Sequence, residues 1–166
     1  MIEHRAIEIE PRGYADKVEG VVIRYGDVAH VGNLHERFLP GAFGSSLESD
    51  AIRVNFQHSR DRPLAVPAFI DSQTELRAVF DLPETSDGRD AKELMRQKVL
   101  TGLSVEFTPE QERFEGGVRV IERATLHGLA LVDYPAYRES VATLANRWLE
   151  NRTFSALPGN IRIPFL

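Results

Sequence analysis

A period-two alternation of apolar and polar residues is the feature that most restricts the folds open to this chain. In residues 52–57 and again in residues 103–108, every second position is apolar and the positions between are polar. Such alternation is typical of a strand with one buried and one polar face. Residues 18–25 are rich in β-branched side chains, which also favour strands. The sequence therefore predicts a β-rich fold.

Helical periodicity is confined to shorter segments. Residues 88–99 carry apolar residues at helical spacing, and Thr85 offers an N-cap just before them. A second, short helix is predicted over residues 42–47, after a Pro-Gly turn. The strand over residues 118–133 is long, and we expect it to bend at Gly128. Together these segments predict an α+β domain: a mostly antiparallel, barrel-like sheet, closed or nearly closed, with a few flanking helices.

Length and composition limit the classes of protein to consider. The 166 residues suit one domain, which we place at residues 1–150, followed by a C-terminal tail over residues 151–166. A net charge of −5 argues against a nucleic-acid partner. No segment resembles a membrane span or a signal peptide, so we expect an intracellular, soluble protein. With no cysteine, disulfides and thiolate zinc sites are excluded.

His58 and Ser104 are the residues with the clearest catalytic potential. His58 follows the strand over residues 51–57, and Ser104 lies inside the strand over residues 103–108 on the same face as Glu106. A serine hydroxyl becomes an effective nucleophile when an imidazole accepts its proton. Gly102 permits a close approach of substrate or backbone. The pair therefore indicates covalent acyl transfer, provided that the fold brings the two residues together.

Other polar groups give weaker signals. His30 and His35, with Asp27 and Glu36 nearby, match no metal-binding spacing and are interpreted as surface residues. The glycines at 116 and 117 indicate a hairpin turn rather than a phosphate-binding loop. We therefore expect neither a metal nor a cofactor.

Five segments, in this order, resemble the prohead maturation proteases of tailed bacteriophages. That family consists of serine endopeptidases related in fold to the herpesvirus capsid-maturation protease, assemblin. The segments are Phe38-Leu39-Pro40-Gly41-Ala42-Phe43, Asn55-Phe56-Gln57-His58 with Pro63-Leu64-Ala65, Asp87-Gly88-Arg89-Asp90, Gly102-Leu103-Ser104-Val105-Glu106-Phe107 and Leu129-Ala130-Leu131-Val132-Asp133-Tyr134-Pro135-Ala136.

The resemblance implies both a substrate and a place of action. Members of the family cleave the scaffold and the scaffolding segment of the major capsid protein inside the immature shell, the prohead, in the host cytoplasm. They often cleave themselves as well, and assemblins form homodimers. Carried over by motif, His58 would be the general base and Ser104 the nucleophile.

The third catalytic residue is where this chain departs from the family. The family commonly has a glutamate at the position that Gly128 occupies here. The neighbouring His127 is our first candidate for orienting His58, since assemblin uses a second histidine and a bulge at Gly128 would change the direction of its side chain. Glu106 is the competing candidate, and a Ser-His dyad is the remaining alternative. The resemblance suggests the turn over residues 133–138 for the oxyanion hole.

Two other functions stay open on the sequence. The glycine at 128 would also suit a non-catalytic capsid-assembly or scaffold-binding module on the same fold. A weaker alternative is an esterase or amidase for small substrates. The tail could dock on its own chain, dock on a second subunit, or mark a self-cleavage boundary.

Overall fold

A computed structural model of the chain describes residues 1, 3–8, 10–11, 17–31, 33–133, 142–144 and 160–162. These residues form two β-sheets, one α-helix and one short 3-10 helix. The strands are β1 (Glu3–Glu8), β2 (Glu10–Pro11), β3 (Lys17–Arg24), β4 (Ala29–Val31), β5 (Leu34–Phe38), β6 (Val54–Phe56), β7 (Ser59–Ala65), β8 (Ala68–Asp71), β9 (Glu75–Asp81), β10 (Gly102–Glu115), β11 (Val118–Val132), β12 (Ala142–Leu144) and β13 (Asn160–Arg162).

The first sheet has the order β1-β10-β11-β5-β4 and is built on the long antiparallel hairpin of β10 and β11. One edge of β11 carries two parallel neighbours, because β5 pairs with its first part and β6 pairs with its second part. β7 then pairs antiparallel with β6. This arrangement brings the end of β6 within one strand of β10.

The second sheet has the order β13-β8-β9-β3-β12-β2. Its β13 strand comes from the C-terminal tail and pairs antiparallel with β8. Residues 160–162 of the tail therefore dock on their own chain.

One apolar cluster contains side chains from both sheets. Within it, Phe38, Phe43 and Phe107 pack on one another, with ring centroids 5.1–6.3 Å apart. In β10 the core side chains are Leu103, Val105 and Phe107, as the alternation predicts. Burial of this apolar surface is the main source of stability. The residues between them, Ser104 and Glu106, lie on the opposite face of the sheet.

The predicted helix is found as α1 (Ser86–Arg96), and it ends three residues before the predicted position. Thr85 caps its N-terminus by accepting a hydrogen bond from the backbone N–H of Gly88 at 3.2 Å. At the other end, Lys98 adopts a φ of 59°, and the N–H of Val99 donates to the carbonyl of Leu94 at 2.8 Å. That left-handed residue ends the helix.

Two expectations about the fold need correction. The second, short helix covers Gly44–Glu48 instead of residues 42–47, and it is a 3-10 helix. The barrel-like sheet is not confirmed, because the described strands form two separate sheets and neither closes on itself. The physical reason is that β5 and β6 share one edge of β11, so the β10–β11 hairpin belongs to a branched, open sheet.

Candidate active site

His58 occupies a two-residue turn between β6 and β7. Phe56 pairs with Ser59 across the hairpin, and the two turn residues, Gln57 and His58, have φ angles of 50° and 60°. Positive φ at both central residues is the feature of type I′ hairpin turns, which usually contain Asn and Gly. Left-handed backbone costs a residue with a Cβ about 1–2 kcal/mol. The N–H of Gln57 donates to the carbonyl of Leu131 at 2.9 Å and ties the turn to β11.

Ser104 lies in β10 on the face opposite the main core. Its backbone partners are Ala6 in β1 and Ala130 in β11. The serine is 1% exposed, so its hydroxyl is closed to solvent in this structure.

Glu106 connects the turn to β10. Its Oε1 lies 3.0 Å from Nδ1 of His58, and its side chain is 3% exposed. A carboxylate only accepts hydrogen bonds, so Nδ1 donates and the lone pair of the neutral ring is left on Nε2. The second oxygen, Oε2, lies 3.7 Å from Nη2 of Arg60. His58, Glu106 and Arg60 therefore form a chain of polar contacts on the face that carries Ser104.

Gly128 leaves the room that the Glu106 carboxylate occupies. The two residues are paired directly across β10 and β11. A Cβ built on Gly128 would lie 3.4 Å from Oε2 of Glu106 and 3.5 Å from the carbonyl oxygen of Arg53. A larger side chain at this position would therefore compete with the carboxylate for the same space.

His127 lies at a bulge and makes a different contact. The register of β11 against β10 shifts between Gly128 and Leu126, so His127 has no partner in the pairing. The predicted irregularity near Gly128 is thus present, and it turns His127 outward. Its Nε2 lies 2.8 Å from Oγ1 of Thr108 on an exposed part of the hairpin. The contact seen at Nδ1 of His58 is therefore with Glu106, the competing candidate, and not with His127.

Ser104 and Glu106 share one face of β10, and His58 contacts Glu106 on that face. Ser104 precedes Glu106 by two positions on the same strand face, a separation of about 7 Å along the strand. The bond to Glu106 uses Nδ1 of His58 and leaves Nε2 as the nitrogen suited to accept a proton from an alcohol. Of the predicted oxyanion turn, residues 134–138 lie outside the described residues.

Arg60 is a site residue to which sequence reasoning assigned no role. The alternation in β7 does not identify it, because the positive φ angles of the turn decide which way the strand leaves His58. Only the folded hairpin shows that Arg60 and Glu106 are neighbours.

The described residues contain no group of three or more His, Asp or Glu side chains arranged to hold a metal ion. The exposed His30 and His35 form an edge-to-face pair across β4 and β5, with ring centroids 4.3 Å apart. In the part of the chain that the structure describes, no helix has the length and apolar character needed to cross a membrane.

Comparison with known proteins places the chain in a family. The family model described as caudovirus prohead serine protease matches residues 2–153 of the 166. Searches of curated proteins and of solved structures give no significant match. The matched region contains β1 to β12, including the strand of Ser104, the turn of His58 and the carboxylate of Glu106. The chain therefore belongs to the caudovirus prohead serine protease family.

Proposed function

We propose that this protein is a serine endopeptidase that cleaves the scaffold and the scaffolding segment of the major capsid protein during prohead maturation. Family membership supports a serine protease of the prohead. The observation that carries the residue assignment is the bond between His58 and Glu106 on the strand face that also holds Ser104. In the proposed site Ser104 is the nucleophile and His58 is the base.

The proposed reaction is acyl transfer through a serine ester. Oγ of Ser104 forms a bond to the scissile carbonyl carbon while its proton passes to Nε2 of His58. The C–N bond then breaks, and the leaving amine takes that proton from His58. A water molecule attacks the ester, gives a proton to His58 and releases the carboxylate product. The proton returns to Ser104, so the enzyme is regenerated.

We assign the orienting role to Glu106 rather than to His127. Glu106 fixes the tautomer of His58 and stabilises the imidazolium that forms during the reaction. Arg60 lies on the opposite side of the carboxylate and offsets part of the cost of burying it. The contact of His127 with Thr108 gives it no comparable part in the reaction.

The remaining expectations for this protein stay proposals. We propose residues 1–150 as the protease domain and residues 151–166 as the tail, of which residues 160–162 pair with β8. Self-cleavage and homodimer formation are proposed by analogy with the family. Intact masses of wild-type protein and Ser104→Ala test the first, and native mass spectrometry tests the second.

The proposal is tested by replacing the nucleophile. We expect Ser104→Ala to reduce cleavage of the phage scaffold and capsid protein by about 10³-fold or more. The exposed Ser45 gives a matched control, and Ser45→Ala should cleave at the wild-type rate. A fluorophosphonate probe should label the wild type and Ser45→Ala but not Ser104→Ala. Labelling should be slow, because the hydroxyl is buried before the site opens.

Other outcomes point to the alternative functions. Cleavage by Ser104→Ala at the wild-type rate would overturn the assignment. Particles that mature while Ser104 stays unlabelled throughout assembly would favour the non-catalytic module. Hydrolysis of nitrophenyl esters with intact capsid and scaffold proteins would favour the esterase.

A further inference from the structure

We propose that the ion pair between Arg62 and Asp87 is a brace that holds the His58 turn in its catalytic conformation. The inference rests on the proposed function in that it assigns a positioning role to two residues outside the reacting groups. It is carried by three observations: the geometry of the pair, the contact of Arg62 with Phe56, and the conformation of the turn.

The pair has a two-point geometry. Nε of Arg62 lies 3.2 Å from both carboxylate oxygens of Asp87, and Nη2 lies 2.6 Å from Oδ1. A planar guanidinium that meets a carboxylate in this way fixes direction as well as distance. Since Arg62 belongs to β7 and Asp87 to the first turn of α1, the pair connects the His58 hairpin to the helix.

Arg62 also contacts the other arm of the hairpin. Its guanidinium carbon lies 4.1 Å from the centroid of the Phe56 ring, which is a cation–π contact. Phe56 is the last residue of β6 and directly precedes the turn. One side chain therefore touches the strand that enters the turn, belongs to the strand that leaves it, and is itself held by α1.

The turn needs such support because its conformation is unfavourable. Both Gln57 and His58 carry a Cβ and both adopt positive φ angles. Residues held in this region persist when the surrounding structure determines them. A relaxed turn would move the imidazole away from the buried Glu106 carboxylate, which is fixed in the middle of a sheet.

Asp87 is a firm anchor for the brace. A Cβ on the adjacent Gly88 would lie only 1.9 Å from the carbonyl oxygen of Pro83, so the helix start packs closely on the preceding segment. A carboxylate in the first turn of a helix is favoured by the helix dipole. The hydrogen bond from Arg62 lowers the pKa of Asp87 further, so the pair keeps its charge at neutral pH.

The experiment compares this pair with a similar one on the same helix. Arg62→Lys keeps the charge but loses the two-point geometry, and Asp87→Asn removes the charge of its partner. Arg96 and Glu93 form an exposed two-point pair at the far end of α1, which makes Arg96→Lys and Glu93→Gln matched controls. Thr85→Ala weakens α1 without touching the brace.

We expect Arg62→Lys and Asp87→Asn each to lower kcat by about tenfold while KM changes less than twofold. The double variant should be no slower than the slower single variant, because both changes remove one contact. The controls at Arg96 and Glu93 should keep the wild-type kcat. Thr85→Ala should lower the melting temperature as much as Asp87→Asn or more, and yet keep kcat within twofold of the wild type. Equal losses of kcat in Thr85→Ala and Asp87→Asn would overturn the brace in favour of a purely structural role.

A spectroscopic measurement separates the brace from the proposed function. Proton NMR of the full chain, with His58→Gln for assignment, should show the Nδ1–H signal of His58 bonded to Glu106. Asp87→Asn should shift or broaden that signal, and Glu93→Gln should leave it unchanged. An unchanged signal in Asp87→Asn contradicts the brace. If the signal moves in a protein that cleaves no substrate, the brace stands and the protease assignment fails.

Discussion

At the scale of single residues, the sizes of the side chains at positions 106 and 128 are complementary. They face each other across β10 and β11, and the missing side chain of one leaves space for the carboxylate of the other. Position 128 lies on the strand between β10 and β6, so a carboxylate attached there would also lie beside the His58 turn. A carboxylate at either position 106 or position 128 could therefore orient the imidazole of His58.

A second-site rescue tests this view of the acid. Glu106→Ala should reduce kcat by about 10³-fold, because the imidazole loses the group that fixes its tautomer. Adding Gly128→Glu to that variant should raise kcat about tenfold or more above that of Glu106→Ala alone. The new carboxylate would enter the space that the Glu106 side chain left. The measurement is single-turnover cleavage of the capsid scaffolding segment. His127→Ala serves as the control and should keep the wild-type rate; a loss as large as that of Glu106→Ala would return His127 to the catalytic role.

The sequence indicated which residues share a strand face with Ser104 but left the orienting residue open between Glu106 and His127. Alternation alone indicated that Ser104 and Glu106 share a face opposite Leu103, and the structure has this arrangement. The choice between Glu106 and His127 depended on the bulge in β11, which turns His127 toward Thr108. Gly128 indicated where a bulge could form, but the direction in which His127 then points depends on packing between strands that are distant in sequence.

At the scale of elements, the hairpin of β6 and β7 is the part of the fold that positions the base. Its two-residue turn has no Gly or Asn, the residues that favour such turns, and so no local signal indicates a tight hairpin here. The α1 helix was predictable, because Thr85 and the apolar spacing signal it locally. The closed barrel was not a sound inference, because strand alternation does not indicate how sheets close.

Replacing Gln57 tests whether the turn is strained. Gln57→Gly should raise the free energy of unfolding by up to about 1 kcal/mol, since glycine adopts positive φ without the cost that a Cβ imposes. We expect kcat to stay within twofold of the wild type, because His58 and its contacts are unchanged. Urea unfolding and cleavage assays give the two values. Gln57→Val should show the opposite, with lower stability and slower cleavage; equal stability of all three proteins would contradict the strain.

At the scale of the whole molecule, the second sheet contains a buried phenol that links its strands. Tyr25 follows β3, is 7% exposed, and donates a hydrogen bond from its hydroxyl to Oδ1 of Asp71 in β8 at 2.7 Å. Burial raises the pKa of Tyr25 well above its ordinary value of 10.0, and the bond to Asp71 adds to the effect. The folded protein therefore keeps this proton under conditions in which the unfolded chain releases it.

This difference predicts an alkaline loss of stability. The contribution of Tyr25 is fully present below pH 10 and falls as the pH rises above it, because only the unfolded state then gives up the proton. Between pH 9 and pH 11 we expect the free energy of unfolding of the wild type to decrease by about 1.4 kcal/mol in total more than that of Tyr25→Phe. Urea unfolding at several pH values between 9 and 11 measures both slopes. Parallel slopes above pH 10 would show that the phenol titrates alike in the two states.

The position of β10 inside its sheet limits how a substrate polypeptide can bind beside Ser104. Both edges of the strand that carries Ser104 are occupied, one by β11 and the other by β1, whose Glu3 is anchored to Arg119 at 2.8 Å. Incoming main chain has no vacant row of N–H and C=O groups beside the serine with which to extend the sheet. We therefore expect the protease to select substrates by the side chains that flank the cleaved bond. An extended segment that lacks those side chains should stay uncleaved.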